Sequence, residues 1–233
     1  MSLLANLKTD DAIQDDKDTV GGGYRALDSD IYTGTIKYAY LQKSQSSKSL
    51  AINLSVDING VEFKETLRIS NRNGENFYEK NGKKNYLPSF TTANSIALFA
   101  CQKELADLDT EPKVLNLYSW EHQKEVPTEV PCITALHGKT VTLGIIKEIK
   151  PKQVKNSQGD FVDTDETKEV NTISKVFHPE NNKTVAECKA KADKAQFYEV
   201  WLDRYKGYVN EVAPKTANKP SNNTSKSVSS LFS

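Results

Sequence analysis

"LAINLSVDINGVEFKETLRIS", residues 50–70, decides the fold. Leu50, Ile52, Leu54, Val56 and Ile58 fall on alternate positions, and Val61, Phe63, Leu67 and Ile69 resume the alternation after Asn59-Gly60. A period of two marks a strand with one buried face, and Asn-Gly between two such runs supplies the left-handed residues of a tight hairpin turn. Upstream, "IYTGTIKYAYLQKS" (31–44) alternates as well, with Ile36, Tyr38 and Tyr40 expected on one face and Thr35, Lys37 and Ala39 on the other. Residues 31–70 therefore read as a three-stranded antiparallel meander.

Downstream, "FTTANSIALFACQKELADLD" (90–109) places Ile96, Phe99, Ala100 and Leu108 near helical spacing, with Thr91 or Thr92 positioned to cap the start. Strand-like segments then return in "KVLNLYSW", "EVPTEVPCITAL" and "KTVTLGIIKEIK". The last aligns Val141, Leu143 and Ile145, and its Gly144 suggests a bulge or bend. The expected class is mainly β with helices (α+β). Three strands, a helix and further strands match an OB-fold-like antiparallel barrel, although an SH3-like barrel or a small sandwich shares much of this pattern.

The flanks differ in character. Residues 1–25 read as a flexible acidic arm with a joint at Gly21–Gly23. Residues 26–155 read as the OB-like core, and 156–213 as a hairpin and helix extension packed on it. The hairpin tip is expected at Asn156–Gly159. In "KTVAECKAKADKAQFYEVWLDRYKG" (183–207), Thr184 and Glu187 form a capping box. Cys188, Ala192, Ala195, Tyr198, Trp201, Leu202 and Tyr205 make an apolar stripe, and Gly207 ends the helix. Residues 214–233 are low-complexity and read as a disordered tail with an apolar tip, Leu231-Phe232, suited to a partner's pocket.

Lys and Arg together number 31, as do Asp and Glu, so any pull on an anionic partner comes from local patches. The three cysteines are scattered and form no CxxC pair, which speaks against a disulfide framework or structural zinc and for a reducing compartment. No apolar run approaches the roughly 20 residues that span a bilayer, so no membrane association is expected. The acidic start lacks signal-peptide character. No HExxH, GxSxG or Walker sequence occurs, and His122, His137 and His178 stand far apart. Asp160, Asp163, Asp165, Glu166 and Glu169 are the densest carboxylates. They could hold Mg²⁺ in a nuclease, but they sit in a polar segment and read as a solvated face. The expectation is a non-enzyme without a cofactor.

One stretch carries a chemical signal. "NRNGENFYEKNGKKNYLPSF" (71–90) interleaves cations with aromatic rings in a Gly- and Asn-rich segment that reads as a loop. Single-stranded nucleic acid exposes phosphate charge and base faces; Lys and Arg answer the first, and aromatic rings answer the second. The candidate nucleic-acid-binding residues are Lys37, Tyr38, Tyr40, Lys43 and Arg68 from the meander, with Arg72, Phe77, Tyr78, Lys80, Lys83, Lys84 and Tyr86 from this stretch. The competing reading makes the rings core anchors for a long loop, Phe90 first among them.

The wording of "NRNGENFYEKNGKKNYLPSFTTANSIALFA", "LYSWEHQKEVPTEV", "KTVTLGIIKEIKPKQVKNSQGDFV", "NTISKVFHPENNKTVAE" and "SSLFS" resembles bacteriophage single-stranded DNA-binding proteins of N4-like and related phages. The resemblance implies an OB-type protein that coats single-stranded DNA in phage replication and recombination, in the host cell cytoplasm. Its partners would be single-stranded DNA, phage or host replication proteins reached through Leu231 and Phe232, and further copies of itself. No family site residues carry over. Bacterial single-strand-binding proteins end in an acidic, apolar tip; here serines and Lys226 surround the apolar pair. The alternative function is a non-catalytic scaffold of the replication or transcription machinery.

Overall fold

The computed structural model describes residues 26–213 apart from Gln45, Ser46, Trp120, Gln158 and Asp160. The expected arm, its glycine joint and the tail with Leu231 and Phe232 lie outside the described residues.

The meander forms as β1 (Asp30–Lys43), β2 (Leu50–Ile58) and β3 (Val61–Arg68), paired antiparallel. Asn59 and Gly60 both take left-handed φ values, 53° and 84°, as a type I′ hairpin turn demands. Ile52, Leu54, Val56, Ile58, Phe63 and Leu67 are buried, whereas Val61, beside the turn, is exposed. β1 departs from the expected parity. Ile36 pairs with Val56 and Tyr38 with Ser55, so Lys37 is an extra, bulged residue. The bulge shifts the alternation by one. Ile36 and Ala39 are both fully buried, and Tyr38 and Tyr40 turn away from the core.

The 71–90 stretch is a hairpin rather than a loop. β4 (Phe77–Lys80) and β5 (Lys83–Tyr86) pair with each other across Asn81-Gly82, whose φ values are 53° and 71°. Helix α1 (Pro88–Cys101) starts with Pro88 in its first turn and Leu87 as a cap residue that makes no side-chain bond. Thr91 and Thr92 do not cap it. Their hydroxyls donate to the Leu87 and Pro88 carbonyls one turn back. Gln102 adopts a left-handed conformation and ends the helix, so Leu108 lies beyond it. Ala93, Ile96 and Ala97 are its buried residues.

A ribbon of β6 (Glu111–Ser119) and β7 (Lys124–Cys132) follows, then the long pair β8 (Thr140–Lys155) and β9 (Phe161–Phe177). Val141, Leu143 and Ile145 are buried as expected. The β8–β9 register slips beside Gly144, with Ser174 of β9 as the extra residue. Gly144 itself answers a close approach, since a Cβ there would lie 2.9 Å from the Trp201 ring. The turn at Asn156 is closed by the Gly159 N–H donating to its carbonyl. Ile173 and Val176, at the far end of β9, belong to the main core, so the ladder runs across the expected division at residue 155.

The stripe in 183–207 is not one helix. α2 (Val185–Lys189) and α3 (Gln196–Tyr205) are separated by a break in which Lys191 has a φ of 51°. The Thr184–Glu187 capping box is present, and Glu187 Oε1 also accepts the Gln196 and Phe197 N–H groups at 2.8 Å. One carboxylate therefore serves both helix starts, and Cys188 is left exposed. Gly207 follows α3 with a φ of 71°. Strand β10 (Val209–Glu211) then pairs parallel with β8.

The molecule is mainly β, with a largely antiparallel sheet ordered β10-β8-β1-β2-β3 and β9 on the other side of β8. Among the described residues no ladder joins β3 to β9, so the sheet does not close into a barrel. The Glu65 carboxylate spans this seam, accepting the Ile173 N–H at 2.8 Å, while α1 packs against β3, β8 and β9. Among the described residues no helix is long and apolar enough to cross a membrane.

Candidate nucleic-acid interface

The bulge at Lys37 builds the site. It aligns the outward side chains of the meander in rows across three strands: Tyr38, Ser55 and Lys64; Tyr40, Asn53 and Thr66; Gln42, Ala51 and Arg68. The rings of Tyr38 and Tyr40 lie 6.0 Å apart at 37°. Polar side chains link the strands across the face: Thr66 Oγ1 donates to Asn53 Oδ1, and Asn53 Nδ2 donates to Gln42 Oε1. Ser55, fully buried between its cross-strand neighbours Tyr38 and Lys64, donates to Glu62 Oε1 at 2.6 Å.

Glu62 organises the cations at one end. Its carboxylate lies 2.9 Å from Lys64 Nζ and 3.5 Å from Lys37 Nζ. Burial acts to raise this carboxyl, but bonds from Ser55 and Lys64 and the two ammonium charges outweigh it, so Glu62 sits below its ordinary pKa. Burial likewise acts to lower Lys64, and the contacts to Glu62 and Tyr38 outweigh that and raise it. Both ions are thus charged at neutral pH, and Glu62 cancels part of the positive charge. Arg68 and Arg72 make no ion pair among the described residues.

Lys37, Tyr38, Tyr40 and Arg68 therefore share the outer face. Lys43 does not: after the bulge it has the parity of Ala39 and Leu41, on the core side at the strand's end. The 71–90 residues divide between two hairpin faces. Phe77 pairs with Tyr86 and Glu79 with Lys84 on one; Tyr78 pairs with Asn85 and Lys80 with Lys83 on the other. Lys84 Nζ lies 4.4 Å from the Phe77 ring centroid, a cation–π contact. Tyr86 meets Phe90 at 5.3 Å yet stays 65% exposed, and Tyr78 is 42% exposed. Phe90 packs on the core, as the anchor reading expected.

Beyond the last row of the face lies a cleft of about 540 Å³ lined by Arg68, Ser70 and Arg72, by Ser44, Ser47 and Ser49 of the β1–β2 loop, and by Leu87, Pro88 and Ser89. The loop is fastened there by the Lys48 N–H donating to the Arg72 carbonyl at 3.1 Å. Lys64 is the face residue that the reading of the sequence left out. Its signal was available, because 62, 64, 66 and 68 are the positions opposite Phe63 and Leu67 in a strict alternation.

The acidic segment of β9 is tied to cations and amides: Lys152 bonds Glu166 at 2.8 Å, Gln153 bonds Asp163 at 2.7 Å, and Lys147 lies 2.9 Å from Glu169. Asp160 is outside the described residues. Among the described residues no group of three or more His, Cys, Asp or Glu could hold a metal ion. No protein-family model matches the chain, and no curated protein matches it.

Proposed function

We propose that this protein binds single-stranded DNA without marked sequence preference and coats it during phage replication and recombination in the host cytoplasm. The observation that carries the reading is the outer face of the meander, where two adjacent tyrosines are bordered by Lys37, Lys64 and Arg68. Rings stack on bases of any sequence, and the cations follow the phosphates. A duplex hides its base faces, so the tyrosines discriminate for the single strand.

The OB-like reading of the core supports this function. The strands β1, β2, β3, β8 and β9 occur in the chain order of that barrel, with α1 between the third and fourth. Their neighbours follow the same circuit, broken at the β3–β9 seam that Glu65 spans. In such folds the face of the second and third strands takes the oligonucleotide.

The test is fluorescence anisotropy of labelled oligo-dT against duplex of equal length. Tight oligo-dT binding that weakens as salt rises is expected, with little duplex binding. Tyr38→Ala with Tyr40→Ala should weaken it by roughly tenfold or more, since each stacked base contributes about 1–3 kcal/mol. Unchanged affinity in that variant would remove the observation on which the reading rests.

One observation favours the scaffold reading as a second function. The β6–β7 ribbon joins the main sheet at a single register pair, Tyr40 with Cys132, and displays Val114 63% exposed. Removing residues 112–131 should leave oligo-dT binding intact and abolish recruitment if the ribbon is the docking element.

A further inference from the structure

Resting on the single-strand reading, we propose that the Arg68–Arg72 cleft seats the terminal phosphomonoester of a bound strand, so that the protein favours phosphorylated ends. The rows of the outer face lead toward it. Tyr38, Tyr40 and then Gln42 with Arg68 succeed one another along the meander, and beyond the last row lie Ser44, Ser49 and Ser70. The far wall is Leu87, Pro88 and Ser89, the start of α1. A strand laid over the tyrosines therefore runs into a walled cleft.

The donors there suit a dianion. Arg68 and Arg72 are exposed, without a carboxylate partner among the described residues, and both line the cleft. Guanidinium forks match phosphate oxygens in pairs and carry full charge at any relevant pH. Ser70 is 4% exposed and accepts the Leu50 N–H at 2.8 Å through its hydroxyl oxygen, which leaves its proton to donate. Ser49 and Ser89 add hydroxyls, and Ser47 donates its own to Ser49 Oγ at 3.1 Å, which leaves the Ser49 proton for the ligand. A phosphodiester offers two free oxygens and one charge; a terminal phosphate offers three oxygens and close to two charges. The second fits two guanidiniums and a set of hydroxyls better.

The experiment compares internally labelled oligo-dT with a 5′-phosphate, a 3′-phosphate or only hydroxyl ends. Inorganic phosphate and thymidine monophosphate are titrated alone by calorimetry. Phosphorylation of one end should tighten binding by about tenfold, the worth of one charge-assisted hydrogen bond. In Arg68→Gln/Arg72→Gln that ratio should fall to about one, whatever happens to the absolute affinity. Equal affinity for all ends in the native protein overturns the proposal while leaving single-strand binding standing. If no oligonucleotide binds but inorganic phosphate or the nucleotide does, and the double variant loses it, the cleft is a free-phosphate seat. The strand-end assignment then fails together with the single-strand reading.

Discussion

Glu65 stands where the alternation of β3 asks for an apolar side chain, between Phe63 and Leu67. Burial pushes its carboxyl up to about 7, a rise that the Ile173 N–H bond and Lys150 oppose and Glu148 assists. Between the ordinary carboxylate range and pH 7, the folded chain keeps a proton that the unfolded chain releases, so stability falls as pH rises through that window and levels off above it. The full effect is on the order of 3 kcal/mol. Glu65→Gln keeps an acceptor for Ile173 without a charge. Its melting temperature should therefore rise above that of the native protein between pH 5 and 7, and the gap should stay constant above. A gap independent of pH would mean that Glu65 is ionised throughout. Glu62 and Glu148 carry depressed values and contribute the opposite slope at lower pH, which is why the difference between the two proteins, rather than either curve, is diagnostic. At this scale the sequence was partly legible. Lys64 could be placed by parity, but the bulge at Lys37 could not, because nothing in "TIKYAY" distinguishes an extra residue from the next step of an alternation. That bulge decides whether Tyr38 and Tyr40 are core or surface.

Two elements show what determines legibility above the single residue. Both hairpins turn on Asn-Gly, at 59–60 and 81–82. The first is announced by long apolar alternation on either side; the second is flanked by four-residue strands rich in charge, so that composition reads as loop while the turn chemistry reads as hairpin. β4 and β5 pair only with each other among the described residues. An isolated two-stranded hairpin adds little stability. Replacing residues 77–86 with a short Gly-Ser linker should thus change stability by less than about 1 kcal/mol, yet weaken oligo-dT binding several-fold if its rings and lysines contact the strand. A large loss in thermal stability would make Phe77 and Tyr86 structural instead. The 183–207 segment erred the other way. Its stripe is periodic enough for one helix, but Glu187 caps two starts and the chain turns between them. The turn lets α3 bring Trp201, 1% exposed, onto β8. Gly144→Ala would push a methyl into that ring at 2.9–3.0 Å and into Phe177 at 3.2 Å. Overpacking of this kind costs about 1–3 kcal/mol, and quenching of the Trp201 environment should change with it in the fluorescence spectrum.

At the scale of the whole molecule, zero net charge conceals an uneven distribution. Arg68, Arg72, Lys80 and Lys83 make no ion pair among the described residues, whereas Lys37 and Lys64 share Glu62. With about four to six phosphates neutralised, log affinity for single strands should fall against log salt with a slope of about −3 to −4. The flanking segments carry opposite charge. Residues 1–25 hold five aspartates against Lys8, Lys17 and Arg25, and residues 214–233 hold three lysines and no acidic side chain. Truncation at both borders spares the contacts of the described fold. Asn171 binds Leu27 through both its N–H and its carbonyl, Ser29 bonds Tyr208 and Lys147, and the Val212 N–H reaches Ile149. The 26–213 fragment should accordingly melt as the full chain does. Its binding should not match. Removing 1–25 alone subtracts net negative charge and should tighten oligo-dT binding at low salt. Removing 214–233 alone should weaken it. Both differences should vanish near 1 M salt, where the screening length falls to about 3 Å. Identical affinities for the native protein and the protein lacking 1–25 at every salt concentration would show that residues 1–25 never compete for the cationic face. Retention of the tightening at high salt would show that they act by something other than charge.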